Sequence, residues 1–177
     1  PPPAPPASVK EWTYDQWRKI RFKTGNSLWR SEGLPFEVQF FHSGCLFDRD
    51  VAVNVIEDGK SSPLAFDPEM FQYDEDAMRQ QLVDAGPGLK GVGFAGFRIH
   101  SSLNSLDYKD EVVAFLGASY FRGVGKNTKY GLSVRGLALN TALPSGEEFP
   151  WFREFWLEKP ASGDESVRVY ALLDSPS

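Results

Sequence analysis

Cysteine is nearly absent: Cys45 stands alone among 177 residues, so no intramolecular disulfide staples the fold and folding does not depend on one. Histidine is almost as scarce. Neither His42 nor His100 lies at a helical or Cys-x-x-Cys spacing from another soft ligand, which argues against a metal site and reads both as structural residues. No basic excess exists either: 19 Lys and Arg against 24 Asp and Glu give a formal net charge of -5. A nucleic-acid backbone is therefore excluded as the main partner, while neutral or weakly charged ligands stay open. No window approaches the roughly 18 consecutive apolar residues of a spanning helix, and no basic-then-apolar leader is visible at the start. No internal repeat recurs at a fixed period.

Aromatics are abundant: 14 Phe, 6 Tyr and 5 Trp make up 14% of the chain, within a hydrophobic content of 41%. That is enough for the core of one ordinary domain. Aromatic side chains either fill such a core or line a surface that stacks flat, apolar-faced ligands, and sugars present such faces. The opening "PPPAPPAS" has few backbone donors and favours extended polyproline conformation, so residues 1–10 read as a flexible lead-in and residues 11–177 as the domain.

Thr13 is placed to cap a short amphipathic helix with Tyr14, Trp17, Ile20 and Arg21 at helical spacing, lying against a sheet. From Pro35 the period becomes two. Phe36, Val38 and Phe40 alternate with Glu37, Gln39 and Phe41, and Val51, Val53 and Val55 alternate with Ala52, Asn54 and Ile56. These are two strands joined by the turn region "HSGCLFDRD", and "EDGKSSP" is a further turn. "DEDAMRQQLV" (Asp74 to Val83), with its acidic start and "AGPG" stop, is the second expected helix. "GFAGFRIH" and "EVVAFLGASYFR" have the apolar and small residues of a sheet buried on both faces, and "YGLSVRGLAL" alternates again. "FREFWLEK" puts Phe152, Glu154, Trp156 and Glu158 on one side and Arg153, Phe155 and Leu157 on the other, and "SVRVYALL" follows as another strand. The expected fold is mainly β, an antiparallel β-sandwich with one or two short helices.

"GVGKNT" resembles a phosphate loop and fails its tests. The Walker pattern needs glycine where Tyr120 stands and Ser or Thr where Asn127 stands; the dinucleotide fingerprint needs glycine at Thr128 and a following helix. A hairpin whose glycines and asparagine accept positive φ is the expectation. Cys45 has no histidine near it in sequence and reads as a buried packing thiol. Glu147, Glu148, Glu154 and Glu158 crowd one aromatic-rich region, and a glycosidase needs two carboxylates flanking a sugar bond. The more ordinary reading puts Glu154 and Glu158 on the solvent side of a strand or pairs them with Arg153, Arg122 or Arg135. Tyr120, Tyr130, Trp151 and Trp156, interleaved with Arg and Glu, have the chemistry of a sugar-binding surface.

"LPFEVQFFHSGCLFDRDVAVNVIEDG", "GFAGFRIHSSLN", "VAFLGASYFRGVGKNTKYGLSVRGLALNTALPSGEEFPWFREFWLEKP" and "VYALLDSPS" together resemble the periplasmic glucan biosynthesis proteins of the OpgG/OpgD (MdoG/MdoD) family. The likeness covers nearly all of the chain after the proline tract. It implies a periplasmic protein acting on osmoregulated periplasmic glucans, chains of β-1,2-linked glucose with β-1,6 branches or links. It also implies a galactose mutarotase-like β-sandwich followed by a smaller immunoglobulin-like domain, inverting cleavage or transfer of β-1,2-glucan, and no metal or organic cofactor. The chain matches the leading part of that sandwich domain, so the catalytic acid and base are expected beyond Ser177 and the isolated chain is expected to be inactive and prone to associate through unpaired strand edges. Within it, Tyr120, Arg122, Tyr130, Arg135, Glu147 and Trp151 are the candidates for glucose stacking and hydroxyl recognition. The expected partners are the β-glucan itself and the machinery that synthesises or branches it. A non-catalytic scaffold that presents nascent glucan for branching uses the same sandwich and is the competing expectation.

Overall fold

The computed structural model describes residues 9, 11–74, 78–80, 82 and 92–175. Among these, one short helix, α1 (Tyr14–Trp17), precedes the strands. In chain order the strands are β1 (Arg21–Phe22), β2 (Phe36–His42), β3 (Ala52–Glu57), β4 (Lys60–Pro63), β5 (Phe71–Gln72), β6 (Phe94–Ser101), β7 (Asp110–Leu116), β8 (Tyr120–Gly123), β9 (Leu132–Arg135), β10 (Trp151–Glu158) and β11 (Val169–Asp174). A five-stranded sheet runs β2-β6-β7-β8-β9 and a four-stranded sheet runs β11-β10-β3-β4; β1 and β5 form a separate ribbon. Every pair is antiparallel except β10 with β3, which is parallel.

The two large sheets pack face to face, because alternate residues of each are aromatic or branched and can leave water only against one another. Phe97 of β6 meets Phe155 of β10 edge-on at 4.9 Å, and Phe115 of β7 meets Phe152 and Phe155 at 5.6 and 5.3 Å. Val38, Phe97, Phe155 and Leu157 are fully buried at the centre. The β1–β5 ribbon closes one end, where Phe22 and Phe71 stand edge-to-face at 5.4 Å and Phe22 reaches Phe40 of β2.

α1 is shorter than the expected helix. Thr13 and Gln16 form a reciprocal capping box, but the helix ends at Trp17, and Arg21 already belongs to β1. It lies against the sheet edge as expected, Trp17 Nε1 donating to the His42 carbonyl at 2.8 Å. Of the second expected helix, Met78–Gln80 and Leu82 are helical; 75–77, 81, 83 and the "AGPG" stop lie outside the described residues, as does the 1–8 tract.

Other expectations needed correction. β2 and β3 form as read but sit in different sheets, so "HSGCLFDRD" crosses from one layer to the other. "EDGKSSP" is only half a turn: Asp58 and Gly59, both at positive φ, reverse the chain, and Lys60–Pro63 pairs with β3 as β4. "EVVAFLGASYFR" is two strands, broken where Gly117 and Ala118 both take positive φ, and β7 and β8 are half-buried rather than buried on both faces. A bulge between Phe152 and Glu154 turns Phe152 to the same side as Phe155 and Leu157, into the core, not to the side of Glu154. Cys45 is half-buried at φ 52° in a tight turn, not a core thiol.

Candidate functional site

"GVGKNT" lies in the loop joining β8 and β9, which pair antiparallel. Asn127, at φ 62°, is the residue in the left-handed region, whereas the neighbouring glycines are not. Gly131 is needed for a different reason: a Cβ there would stand 2.6 Å from the Gly123 carbonyl oxygen.

The hairpin register sets Tyr120 directly opposite Arg135. Ser119, buried, fixes this corner by donating from Oγ to the Leu137 carbonyl at 3.1 Å and accepting at its own carbonyl from Gly136 N at 2.8 Å. The Arg135 guanidinium lies 5.4 Å from the Tyr120 ring centroid and 6.0 Å from that of Phe149, and it forms an ion pair with Glu147. Three of the six candidates, Tyr120, Arg135 and Glu147, are thus one half-buried cluster, with Phe149 added.

Trp151 stands next to it. Phe152 N donates to the Ala118 carbonyl at 3.1 Å, which ties the start of β10 to the β7–β8 turn. Trp151 and Phe149 both line a cavity of about 270 Å³ floored by Phe115, Phe152 and Phe155. The Arg49 guanidinium lies 4.0 Å over the Trp151 ring, a cation–π contact. Arg122 shares the Tyr120 face of β8, two residues along, but is exposed and forms no ion pair among the described residues. Tyr130 is 84% exposed in the loop and makes no ring contact with the cluster.

The four glutamates do not form a catalytic pair. Glu154 and Glu158 belong to the other sheet, where Glu154 accepts from Asn54 Nδ2 at 2.8 Å and Glu158 accepts from Arg168 at 3.2 Å and the Tyr170 hydroxyl at 3.1 Å. Glu147 pairs with Arg135, and Glu148 accepts from Ser175. Glu154 and Glu158 are half-buried and bond to Asn54, Arg168 and Tyr170 in place of the expected Arg122, Arg135 or Arg153, and Arg153 pairs with Asp174. One carboxyl is poised near neutrality. Burial pushes Asp50 up to about 6, partly offset by a hydrogen bond with Ser43. It lines a cavity with Glu154 and Asp174, but both of those are already engaged, so no free second carboxylate faces it. Among the described residues no group of three or more His, Cys, Asp or Glu could hold a metal ion.

His42 and His100 are structural. His42 is caged by Trp12, Phe66, Phe71 and Tyr73 at ring separations of 5.1 to 5.6 Å, and burial pushes it down to about 4.

The family model described as "Periplasmic glucan biosynthesis protein, MdoG" matches residues 1–177. The chain belongs to the MdoG family. It is 49% identical to glucans biosynthesis protein G of Ralstonia nicotianae over 99% of this chain and 34% of that protein. It is 48% identical to the protein of the same name from Rhodopseudomonas palustris over 97% of this chain and 33% of the relative, and 46% identical to one from a Shewanella species over 97% and 30%. The chain therefore spans about a third of the length of the curated relatives it matches. The description of the family, a periplasmic glucan biosynthesis protein, sets the compartment of this chain. No helix among the described residues is long and apolar enough to cross a membrane. For an MdoG-family chain the cluster supplies two residues that sequence reasoning missed, Arg49 and Phe149. Phe149 lies inside a stretch already singled out; Arg49 carries no local signal, since only the fold brings it to Trp151, 102 positions away.

Proposed function

We propose that this chain is the leading part of a glucan-processing sandwich domain and supplies part of the wall that holds β-1,2-glucan. The observation that carries the reading is the Tyr120–Arg135–Glu147 cluster with Phe149 and Trp151 beside it. Aromatic faces stack on the C–H surface of a pyranose, while a guanidinium and a carboxylate paired to each other donate to and accept from its hydroxyls. Arg122, on the same face, extends the hydroxyl-binding surface. The catalytic acid and base of the longer protein lie beyond Ser177: an acid protonates the glycosidic oxygen and a carboxylate activates the attacking water, giving inversion, by hydrolysis or transfer. No cofactor takes part. The glucan is the main partner, and the synthesis or branching machinery is the second.

Glu147, Glu148, Glu154 and Glu158 are all occupied by structural partners, which suits a scaffold and equally an enzyme whose acid and base lie beyond Ser177. Linear β-1,2-glucan incubated with the full-length protein separates the two. New reducing ends support the enzyme; tight binding without them supports the scaffold. Tyr120→Ala is expected to weaken glucan binding about tenfold, from the loss of one aromatic platform. Unchanged affinity in the folded variant would remove the cluster from the glucan path.

A further inference from the structure

The stretch "WRKIRFK" puts Arg18, Lys19, Arg21 and Lys23 within residues 17–23 of a chain whose formal net charge is -5. Both ends of the stretch are pinned: Trp17 Nε1 donates to the His42 carbonyl at 2.8 Å, and Lys23 N donates to the Met70 carbonyl at 2.9 Å. Between these ties the segment crosses the β2 end of the five-stranded sheet and leaves a cavity of about 460 Å³, a size that accepts a small ligand. Phe22 enters the core, so Arg21, its neighbour on β1, faces outward. Arg18 and Arg21 line the cavity from the segment, Thr24 from the turn after β1, and Arg98 from β6. Lys19 and Lys23 do not line it; they pair at 3.6 Å with Asp74 and Glu69.

No carboxylate lines this cavity, and burial keeps His42, its other titratable lining residue, neutral. Arg18 reaches Asp15 at 3.1 Å, but both side chains are more than half exposed and water screens the pair. Arg98 reaches Glu111 at 3.4 Å, through Nη1 alone. Its Nη2 has no partner among the described residues and, unlike Nε, is not enclosed by protein, so a ligand can reach it. The Arg98 guanidinium lies 5.4 Å over the Phe41 ring, which orients its plane. Arg21 forms no ion pair among the described residues. Three guanidinia against two carboxylates leave positive charge uncompensated, and the aromatic walls of a concave site focus that field on whatever enters. Planar guanidinia donate in pairs to oxyanions. With the Thr24 hydroxyl, these three spread round more directions than the two oxygens of a carboxylate present, and a tetrahedral phosphate suits them better.

We infer that this recess binds a phosphate group, with Arg21 and Arg98 Nη2 donating to its oxygens, Thr24 Oγ1 adding a hydroxyl donor and Arg18 adding charge at the rim. The inference does not rest on the function proposed above, since the recess lies at β2, three strand positions from the β8 that carries Tyr120. A free phosphate ion and the head of a phospholipid present the same chemistry, and different probes separate them.

The test titrates the full-length protein and its Arg21→Gln, Arg98→Gln and Arg122→Gln variants with inorganic phosphate by calorimetry, and sediments each with phosphatidylglycerol vesicles, using phosphatidylcholine vesicles as the control. Arg21→Gln and Arg98→Gln are each expected to raise the Kd for phosphate roughly 3- to 10-fold. Arg122→Gln, which removes an exposed arginine of the same sheet outside the recess, should leave that Kd unchanged. Arg21 packs on nothing in the core, so Arg21→Gln should melt with the parent and its loss of phosphate is a loss of binding. Vesicle binding that disappears with Arg21→Gln and Arg98→Gln identifies a lipid head as the ligand, and phosphate binding without vesicle binding identifies the free ion. A parent that binds neither phosphate nor phosphatidylglycerol vesicles overturns the inference, as does an equal loss in all three variants, which would mark diffuse surface charge and no site. Binding of linear β-1,2-glucan by Arg21→Gln should match the parent, so either outcome for phosphate leaves the Tyr120 reading where it stood.

Discussion

Lowering the pH from 7.5 to 4.5 should draw on one buried side chain above all. His42 is 3% exposed inside its aromatic cage, its Nδ1 lies 2.5 Å from the Ser43 carbonyl, and Nε2 is buried without a partner. The carbonyl can only accept, so Nδ1 carries the proton of the neutral ring. Burial, only partly opposed by that carbonyl, lowers the pKa from 6.5 to about 4. The unfolded chain therefore binds the proton more readily than the folded one between those values. The stability from His42 is complete above pH 6.5 and is lost as pH falls toward 4. At about 1.4 kcal/mol per pH unit, the drop to pH 4.5 costs roughly 2.5 kcal/mol. Asp50 works in the opposite sense. Its carboxyl, raised to about 6 by burial, favours the folded state below the ordinary range near 3.8, and that contribution is lost as pH rises through 6. The two overlap between pH 4 and 6 and mask each other. Denaturant unfolding at several pH values, followed by near-ultraviolet circular dichroism, should show a shallow profile for the parent and a steep acid loss for Asp50→Asn. Adding His42→Phe to Asp50→Asn should flatten the profile again. An Asp50→Asn protein as stable at pH 4.5 as at 7.5 would refute the reasoning.

Removing one of the two cations on Glu37 leaves its buried carboxylate half-satisfied, so Lys109→Met should cost about 1–3 kcal/mol, read as a shifted denaturant midpoint. Gly96→Ala should abolish cooperative folding, checked by a melt of the purified variant, because the new Cβ would lie 2.0 Å from the Phe115 carbonyl oxygen on the paired strand. At the free edge of β9, Leu132 and Val134 are exposed, and Leu132→Lys with Val134→Lys should reduce concentration-dependent association in sedimentation velocity. An association unchanged by both lysines would put the contact elsewhere.

Period-two alternation was sufficient to find β2, β3 and β10, because their core residues, such as Phe36, Val38 and Phe40, Val53, and Phe155 and Leu157, fall on one side of each strand. It failed where the backbone breaks its own rhythm. The Phe152 bulge and the Gly117–Ala118 reversal each depend on φ values and register, which residue types do not announce. β4 escaped notice because "KSSP" has little strand preference and is held by its hairpin with β3. Tyr120, Arg135 and Glu147 were legible as a group since they lie within one continuous aromatic stretch, although Tyr130 from the same stretch stands apart.

The parallel pairing of β3 with β10 joins Ala52 to Glu154 and Asn54 to Trp156, about a hundred positions apart. The five-stranded sheet grows by neighbours in sequence from β6 through β9, whereas the β3–β4 hairpin has no place in the second layer until β10 has been made. Closing so long a loop before any contact rewards it slows the search. The layer that carries Asn54 and Glu154 is thus expected to assemble last, and until it does the aromatic face of the first layer would lie open to other chains.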